Sequence, residues 1–208
     1  ELGRASWADG RATAGHLYHD VKSNHQLHFQ DPVAIRLGAL LLTRLRRPAL
    51  YLSAALPHRI LPPLFNRYRQ GEFYGSHLDG AIRPVEGTQA HIRTDLSATL
   101  MISAPADYDG GELVIEDDAS EHSFKLESGD LLLYPTTSIH RVEPVTRGVR
   151  FASVFWIQSI VRDNGERAML FQLDASIQRL RATPGHDGRS VLEFSNIYHN
   201  LLRRWADV

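Results

Sequence analysis

The sequence predicts a mainly β domain, a double-sheet roll or barrel, with helices on both flanks. Between Leu64 and Ile160, short apolar stretches alternate with turn signals at a regular beat. Ahead of them lies a run with helix signals, and behind them apolar residues fall at helical spacing. Strands gathered in one block between helices indicate segregated layers rather than an alternating α/β sheet.

Residues 31–47, DPVAIRLGALLLTRLRR, open on Asp-Pro and carry Leu, Ile and Arg in helical order, so a helix is expected there. Pro48, Pro57, Pro62 and Pro63 then break the chain and leave room for a short helix near 50–56. The strand candidates are PLFNRYR, LSATLMIS, GELVIED, HSFKLES, DLLLYP and GVRFASVFWI. Gly80, Asp109-Gly110-Gly111, Ser128-Gly129-Asp130 and Arg147-Gly148 supply the turns. The longest connector, GAIRPVEGTQAHIR at 80–93, reads either as a lid or as an ordinary mobile loop. Beyond Ile160, Leu170, Leu173, Ile177 and Leu180 mark one helical stripe, and Val191, Phe194, Tyr198, Leu201 and Trp205 another. Thr183-Pro184-Gly185 separates them, which makes a helical hairpin whose aromatic residues serve packing. The expected organisation is a domain over 1–160, with N-terminal helices in 1–63 and a β-core in 64–160, followed by a helical extension over 161–208.

Bulk properties narrow the function. With 208 residues, 43% hydrophobic and 23% charged, the chain can bury a substantial core. A net charge of -1 and no polybasic stripe argue against nucleic-acid and membrane-surface partners. The absence of cysteine removes disulfides, thiolate zinc sites, iron–sulfur clusters and cysteine nucleophiles together. No apolar run approaches the roughly 20 residues of a membrane helix, and a cytoplasmic protein is expected.

Residues 75–80, GSHLDG, place His77 and Asp79 two positions apart. On an extended strand such a pair shares a face, so an imidazole and a carboxylate could reach one ion. A polar turn is the competing reading. His140, in the connector after the strand DLLLYP, supplies a third ligand. Two histidines and one carboxylate on a β-scaffold match the facial triad of non-haem iron(II) oxygenases, which leaves coordination positions for a chelating cosubstrate and dioxygen. Arg150, in VRFASVFW, shares strand parity with Ala152, Val154 and Trp156. A guanidinium there requires an anion, either a protein acid such as Glu112 or the distal carboxylate of 2-oxoglutarate. His16, His19, His25 and His28 fit no metal spacing and read as surface or hydrogen-bonded residues, while His91 and His122 have no evident partner.

On these residues the sequence resembles the iron(II)- and 2-oxoglutarate-dependent dioxygenases of the prolyl 4-hydroxylase type. More closely, it is similar to the bacterial PKHD-type hydroxylases found near iron-uptake genes. The matching segments include NRYRQGEFYGSHLDGAIR at 66–83, RTDLSATLMIS at 93–103, SGDLLLYPTTSIHRVEPVTRGVRFASVFWIQS at 128–159 and VRDNGERAMLFQLDASIQRL at 161–180. DGRATAG at 9–15, VKSNHQL at 21–27, the Asp-Gly-Gly-Glu-Leu turn at 109–113 and YHNLLRRW at 198–205 extend the match nearly end to end.

The resemblance implies a double-stranded β-helix, or jelly-roll, core. It implies iron(II) on His77, Asp79 and His140, 2-oxoglutarate on Arg150, and hydrogen bonds near the cosubstrate from Tyr68 and Tyr74, which read equally well as barrel-core tyrosines. The implied activity is hydroxylation of an unactivated C–H bond by dioxygen with release of succinate and carbon dioxide, supported by L-ascorbate and connected with iron uptake or homeostasis. The substrate is a small molecule or a peptidyl side chain. Two rival readings are a non-catalytic iron or 2-oxoglutarate sensor and a zinc hydrolase or cupin-like metal protein. Arg150 argues against the second, since a hydrolase needs no carboxylate clamp behind its metal. The C-terminal hairpin offers a surface for a homodimer.

Overall fold

The computed structural model describes residues 2–14, 18–117 and 119–208. Strands β1 (Trp7–Asp9), β2 (Lys22–Ser23) and β3 (His25–Leu27) come first, followed by helices α1 (Pro32–Leu45) and α2 (Ala49–Ala55). Next are β4 (Pro57–Ile60), β5 (Leu64–Arg69), β6 (Phe73–His77), β7 (Ile82–Pro84), β8 (His91–Arg93), β9 (Leu96–Met101) and β10 (Tyr108–Gly110). The β-region closes with β11 (Leu113–Glu116), β12 (Glu121–Phe124), β13 (Leu131–Pro135), β14 (His140–Val142) and the long β15 (Val145–Ser159). Helices α3 (Asn164–Ala182) and α4 (Gly188–Trp205) end the chain.

The first helix begins at the Asp-Pro signal of the sequence, and the two C-terminal helices also begin on aspartate caps. Asp31 accepts the Val33 N–H at 2.7 Å with Pro32 in the first turn, and Asp163 accepts the Glu166 N–H at 2.8 Å. Asp187 caps α4 through the N–H groups of Arg189 and Ser190.

The strands form two facing antiparallel sheets. The larger runs β1-β3-β5-β15-β9-β13, with β4 and β10 also paired to β15, and the smaller runs β12-β11-β14-β6-β2. This is the expected jelly-roll arrangement. Between the sheets lie Tyr68, Met101, Tyr108, Leu113, Ile115, Tyr134, Val142 and Val145. On the outer side of the larger sheet, Leu45, Tyr51 and Ala55 of the helical segment pack on Leu96, Ala98, Phe155 and Ile157. Both sides of β15 are therefore buried, which explains its near-continuous apolar sequence.

The N-terminal segment differs from the expectation of helices over 1–63. It supplies β1 and β3 to one edge of the larger sheet, β2 to the smaller sheet, and β4 alongside the far end of β15. These strands are two to four residues long and largely polar, so backbone pairing recruits them where side-chain pattern gives no signal. The 80–93 connector is likewise not an irregular loop: β7 and β8 pair as a hairpin, with Ile82 opposite Arg93.

The C-terminal pair packs on the roll through Leu170 and Val161, both fully buried, together with Leu56, Tyr198, Leu201, Leu202 and Trp205. Ser53 of α2 donates a 2.6 Å hydrogen bond to Asp174 of α3. The α4 stripe is only partly covered, for Phe194, Leu192 and Ile197 stay exposed. No helix among the described residues is long and apolar enough to cross a membrane.

Because Leu170 anchors the pair, Leu170→Ala should cost about 2–5 kcal/mol of stability. A lower urea midpoint with an unchanged m-value is the expected readout, and an unchanged midpoint would contradict this packing.

Candidate metal centre

His77 is the last residue of β6, and β14 pairs antiparallel to β6 with His140 directly opposite His77. The two rings are 4.2 Å apart between centroids. Asp79 lies two residues past the end of β6, where the chain leaves the sheet toward the β7–β8 hairpin. Among the described residues, His77, Asp79 and His140 form the group able to hold a metal, with one ligand atom from each lying within 4.8 Å of the others. His140 is already on the first residue of a strand, not in a connector as the sequence suggests.

Hydrogen bonds decide which ring nitrogens face the centre. His77 Nδ1 donates to the Gly75 carbonyl at 2.8 Å, and His140 Nδ1 donates to the Ser138 carbonyl at 3.1 Å. With Nδ1 carrying the proton, each Nε2 is left with its lone pair, and His140 Nε2 is 3.6 Å from Asp79 Oδ2. Asp79 Oδ2 accepts a 2.7 Å bond from the Ser97 hydroxyl of β9, and Ser97 contacts Thr136 at 3.1 Å. The carboxylate is thus steered from the opposite sheet. Burial first, and then the neighbouring His140, pull the His77 pKa down to about 4, so the ring is neutral at neutral pH. Two imidazoles and one carboxylate are the donor set that suits iron(II) with open positions.

The tyrosines surround these ligands. Tyr74 stacks face to face on His77, with centroids 3.5 Å apart and planes 13° apart, and Tyr134 meets His140 edge-on at 5.1 Å. Tyr68 is directly opposite Arg150 in the β5–β15 pairing, and the Arg150 guanidinium is 5.3 Å from the Tyr68 ring centroid. Burial raises the pKa of both Tyr68 and Tyr74, which keeps the phenols protonated.

Arg150 is only 2% exposed. Its Nε has no hydrogen-bond partner, and the rest of the guanidinium meets only neutral groups, the Met101 sulfur at 3.7 Å from Nη2 and the Tyr108 hydroxyl. No ion pair links it to a carboxylate among the described residues, and Glu112 lies instead 3.8 Å from Lys125. A buried guanidinium left unpaired is costly, so the site is built for an anion that binds from outside. Gly111 presses against it: at φ 66°, an added Cβ there would sit 3.0 Å from Arg150 Cδ. His77, Asp79, His140, Arg150, Tyr68 and Tyr74 all line one cavity of about 270 Å³. Lys22, Arg83, Ser97 and Tyr134 line it too. Sequence reading missed these four because nothing in their local spacing distinguishes them from surface or core residues.

The profile of the 2OG-Fe(II) oxygenase superfamily matches residues 63–158, and that of the PKHD-type hydroxylase C-terminal domain matches residues 164–207. A PKHD-type hydroxylase of Bordetella pertussis is 52% identical over 208 residues, covering 100% of this chain and 91% of the relative. The chain belongs to the PKHD-type hydroxylases. The Herminiimonas arsenicoxydans member is 51% identical, over 100% of this chain and 92% of its own length. Burkholderia ambifaria has one that is 53% identical over 206 residues, covering 99% and 91%. A Pseudomonas putida prolyl-4-hydroxylase shares the fold, with TM-score 0.51 and 21% identity over 73% of this chain and 77% of that one. As a PKHD-type hydroxylase the protein is an oxidoreductase of the 2OG-Fe(II) oxygenase family, which implies iron(II) and 2-oxoglutarate as its cofactor and cosubstrate.

The other histidines stand apart from this centre. His25 pairs with Glu72 at 2.9 Å, His19 lies 3.3 Å from Asp20, and His28 packs on Phe29. His16 lies outside the described residues. His122, for which the sequence offered no partner, is 2.8 Å from Asp117.

Two outcomes test the centre. The unfolded chain takes up the His77 proton near 6.5 and the folded chain only near 4, so the metal-free protein loses stability as pH falls through that window. The loss is about 2–3 kcal/mol, visible as a falling urea midpoint that His77→Ala should flatten. Ser97→Ala should weaken manganese(II) binding about tenfold by calorimetry, because the Asp79 carboxylate loses its orienting donor.

Proposed function

We propose that this PKHD-type hydroxylase holds iron(II) through His77 Nε2, Asp79 and His140 Nε2, and receives the distal carboxylate of 2-oxoglutarate on Arg150. The observation that carries the reading is the buried, unpaired Arg150 guanidinium in the same cavity as the histidine–aspartate–histidine group. An anion with one end on Arg150 and a chelating end toward that group meets both needs, and a 2-oxo dicarboxylate has both ends. When bound, iron(II) and 2-oxoglutarate supply the oxidation, in which one oxygen atom of dioxygen enters succinate as carbon dioxide leaves and the other becomes a hydroxyl on a C–H bond of the substrate.

The chain's own residues prepare this chemistry. The carbonyls of Gly75 and Ser138 fix both imidazoles in the tautomer that offers Nε2. Ser97 fixes the Asp79 rotamer, and the Tyr74 ring limits the tilt of His77 by stacking on it. Tyr68 and Met101 hold the guanidinium of Arg150 in place and keep water from it, which strengthens its pull on a carboxylate. Tyr134 closes the wall beside His140.

Succinate formation from 2-oxoglutarate with iron(II) under air separates these roles. Asp79→Ala should reduce succinate formation by about a thousandfold while the thermal midpoint is retained, since it removes a metal ligand and no core packing. Arg150→Met should raise the 2-oxoglutarate requirement about a hundredfold with manganese(II) affinity unchanged. Full turnover by the Asp79 variant, or an unchanged 2-oxoglutarate requirement in the Arg150 variant, would remove that residue from its assigned role.

A further inference from the structure

The cavity carries more positive charge than its cofactor and cosubstrate use. Three cationic side chains, Lys22, Arg83 and Arg150, line it against the single carboxylate of Asp79, an excess of two. A divalent metal and a dianionic cosubstrate cancel each other, so the loaded cavity keeps that excess. Arg150 serves the cosubstrate in the reading above. Lys22 and Arg83 remain.

Asp79 attracts both side chains from a distance, as does Glu86 for Arg83, but neither cation has a carboxylate in contact among the described residues. Lys22 is buried on β2, directly opposite Tyr74 of β6. Its Nζ donates to the neutral Thr13 hydroxyl at 2.9 Å and lies 4.8 Å from the Tyr74 ring centroid. Tyr74 in turn stacks on His77, so the ammonium is one ring removed from the metal centre. Arg83 is on β7 of the hairpin that follows Asp79, with its guanidinium 3.7 Å from the centroid of the Trp156 ring. That contact holds the guanidinium by its face, whereas ion pairing uses its N–H edge. Among the described residues no carboxylate forms an ion pair with either side chain. Trp156 Nε1 is also buried without an acceptor.

The two cations act on each other across this space. Burial first, and then the charge of Arg83, pull the Lys22 pKa down to about 8. A buried ammonium and a half-buried guanidinium that line one cavity are an unfavourable arrangement until an anion comes between them. Arg83 is also well removed from Arg150. Trp156 lies six residues beyond Arg150 on β15, about 20 Å at the rise of an extended strand.

We propose that Lys22 and Arg83 form a second oxyanion site, which recognises a carboxylate or phosphate group on the substrate and so defines the substrate class as anionic. The proposal rests on the assignment of the metal and 2-oxoglutarate sites given above. A substrate held by its oxyanion between these residues, against the apolar wall of Leu64, Val154 and Trp156, presents its alkyl portion toward His77 and Asp79.

The test uses protein loaded with manganese(II) and saturated with 2-oxoglutarate, and reads the relaxation of probe protons by the bound manganese. The probes are butyrate, butyl phosphate, butyramide and butylammonium, matched in chain and different in head group. Wild-type binding of manganese(II) and 2-oxoglutarate is measured first, and its absence overturns the metal-site assignment and this proposal together. Given that binding, butyrate or butyl phosphate should relax at concentrations about tenfold below butyramide, with butylammonium unaffected. The anion that relaxes at lower concentration identifies the source of the oxyanion. Lys22→Gln and Arg83→Gln should each remove about tenfold of that preference while 2-oxoglutarate affinity is kept, which also shows that the variants are folded. Equal relaxation by butyrate and butyramide in wild type overturns the second site while leaving the metal and 2-oxoglutarate assignments standing. So does absence of relaxation by any probe. A 2-oxoglutarate affinity that falls in step in both variants overturns it too, since the two cations would then hold the cosubstrate.

Discussion

His140 faces His77 across the antiparallel pairing of β14 with β6, and the rest of the centre depends on that register. A slip of one residue would turn an imidazole to the opposite face of the sheet, because side chains alternate. The register also places Val142 and Tyr74 opposite each other, so the ring that stacks on His77 is fixed by the same pairing. The backbone carbonyls that hold the Nδ1 protons come from Gly75 and Ser138, two residues before each histidine. Each histidine therefore carries its tautomer control within its own segment. The third ligand is held differently, since the hydroxyl that orients Asp79 comes from Ser97 in the facing sheet. The centre bridges the two sheets, and the apolar residues packed between them hold its dimensions.

Electrostatics give the cavity its direction. One end holds a guanidinium sealed among Tyr68, Tyr108 and Met101, and the middle holds two imidazoles and one carboxylate. The other side holds an ammonium and a guanidinium whose direct contacts are a neutral hydroxyl and aromatic faces. Buried cations of this kind cost stability in the empty protein and favour anions that enter it. The hairpin of β7 and β8 matters for the same reason: it follows directly from Asp79 of the candidate metal centre and brings Arg83 over Trp156. Val85 and Ile92 of this segment pack with Trp156 in one apolar cluster, which anchors the hairpin to the larger sheet.

Much of this was legible in the sequence, for physical reasons that differ by element. Asp31-Pro32 announced a helix start because a side-chain oxygen must satisfy backbone N–H groups that have no partner within the helix. Leu170 and Ile177 marked the buried side of α3 because burial follows the helical period. Strands β5, β9, β11, β12, β13 and β15 announced themselves through apolar runs and glycine turns, whereas β7, β8, β10 and β14 fell in stretches that read as loop, turn or connector. The short strands β1 to β4 did not announce themselves either, since their side chains are largely polar and only backbone hydrogen bonds recruit them. Phe194 belongs to a clean helical stripe and is nevertheless exposed, because periodicity defines a face without naming what covers it.

The ligand types, their order along the chain and the need of Arg150 for an anion were determined by the sequence alone. Imidazole, carboxylate and guanidinium chemistry belongs to the residue and not to its surroundings. Tertiary structure decided the rest. It showed that Glu112 leaves Arg150 unpaired, that Ser97 from another sheet holds Asp79, and that Lys22 and Arg83 join the same cavity from segments about 60 residues apart. Contacts between residues distant in the chain leave no local pattern in the sequence. They exist only once the two sheets close over a common core.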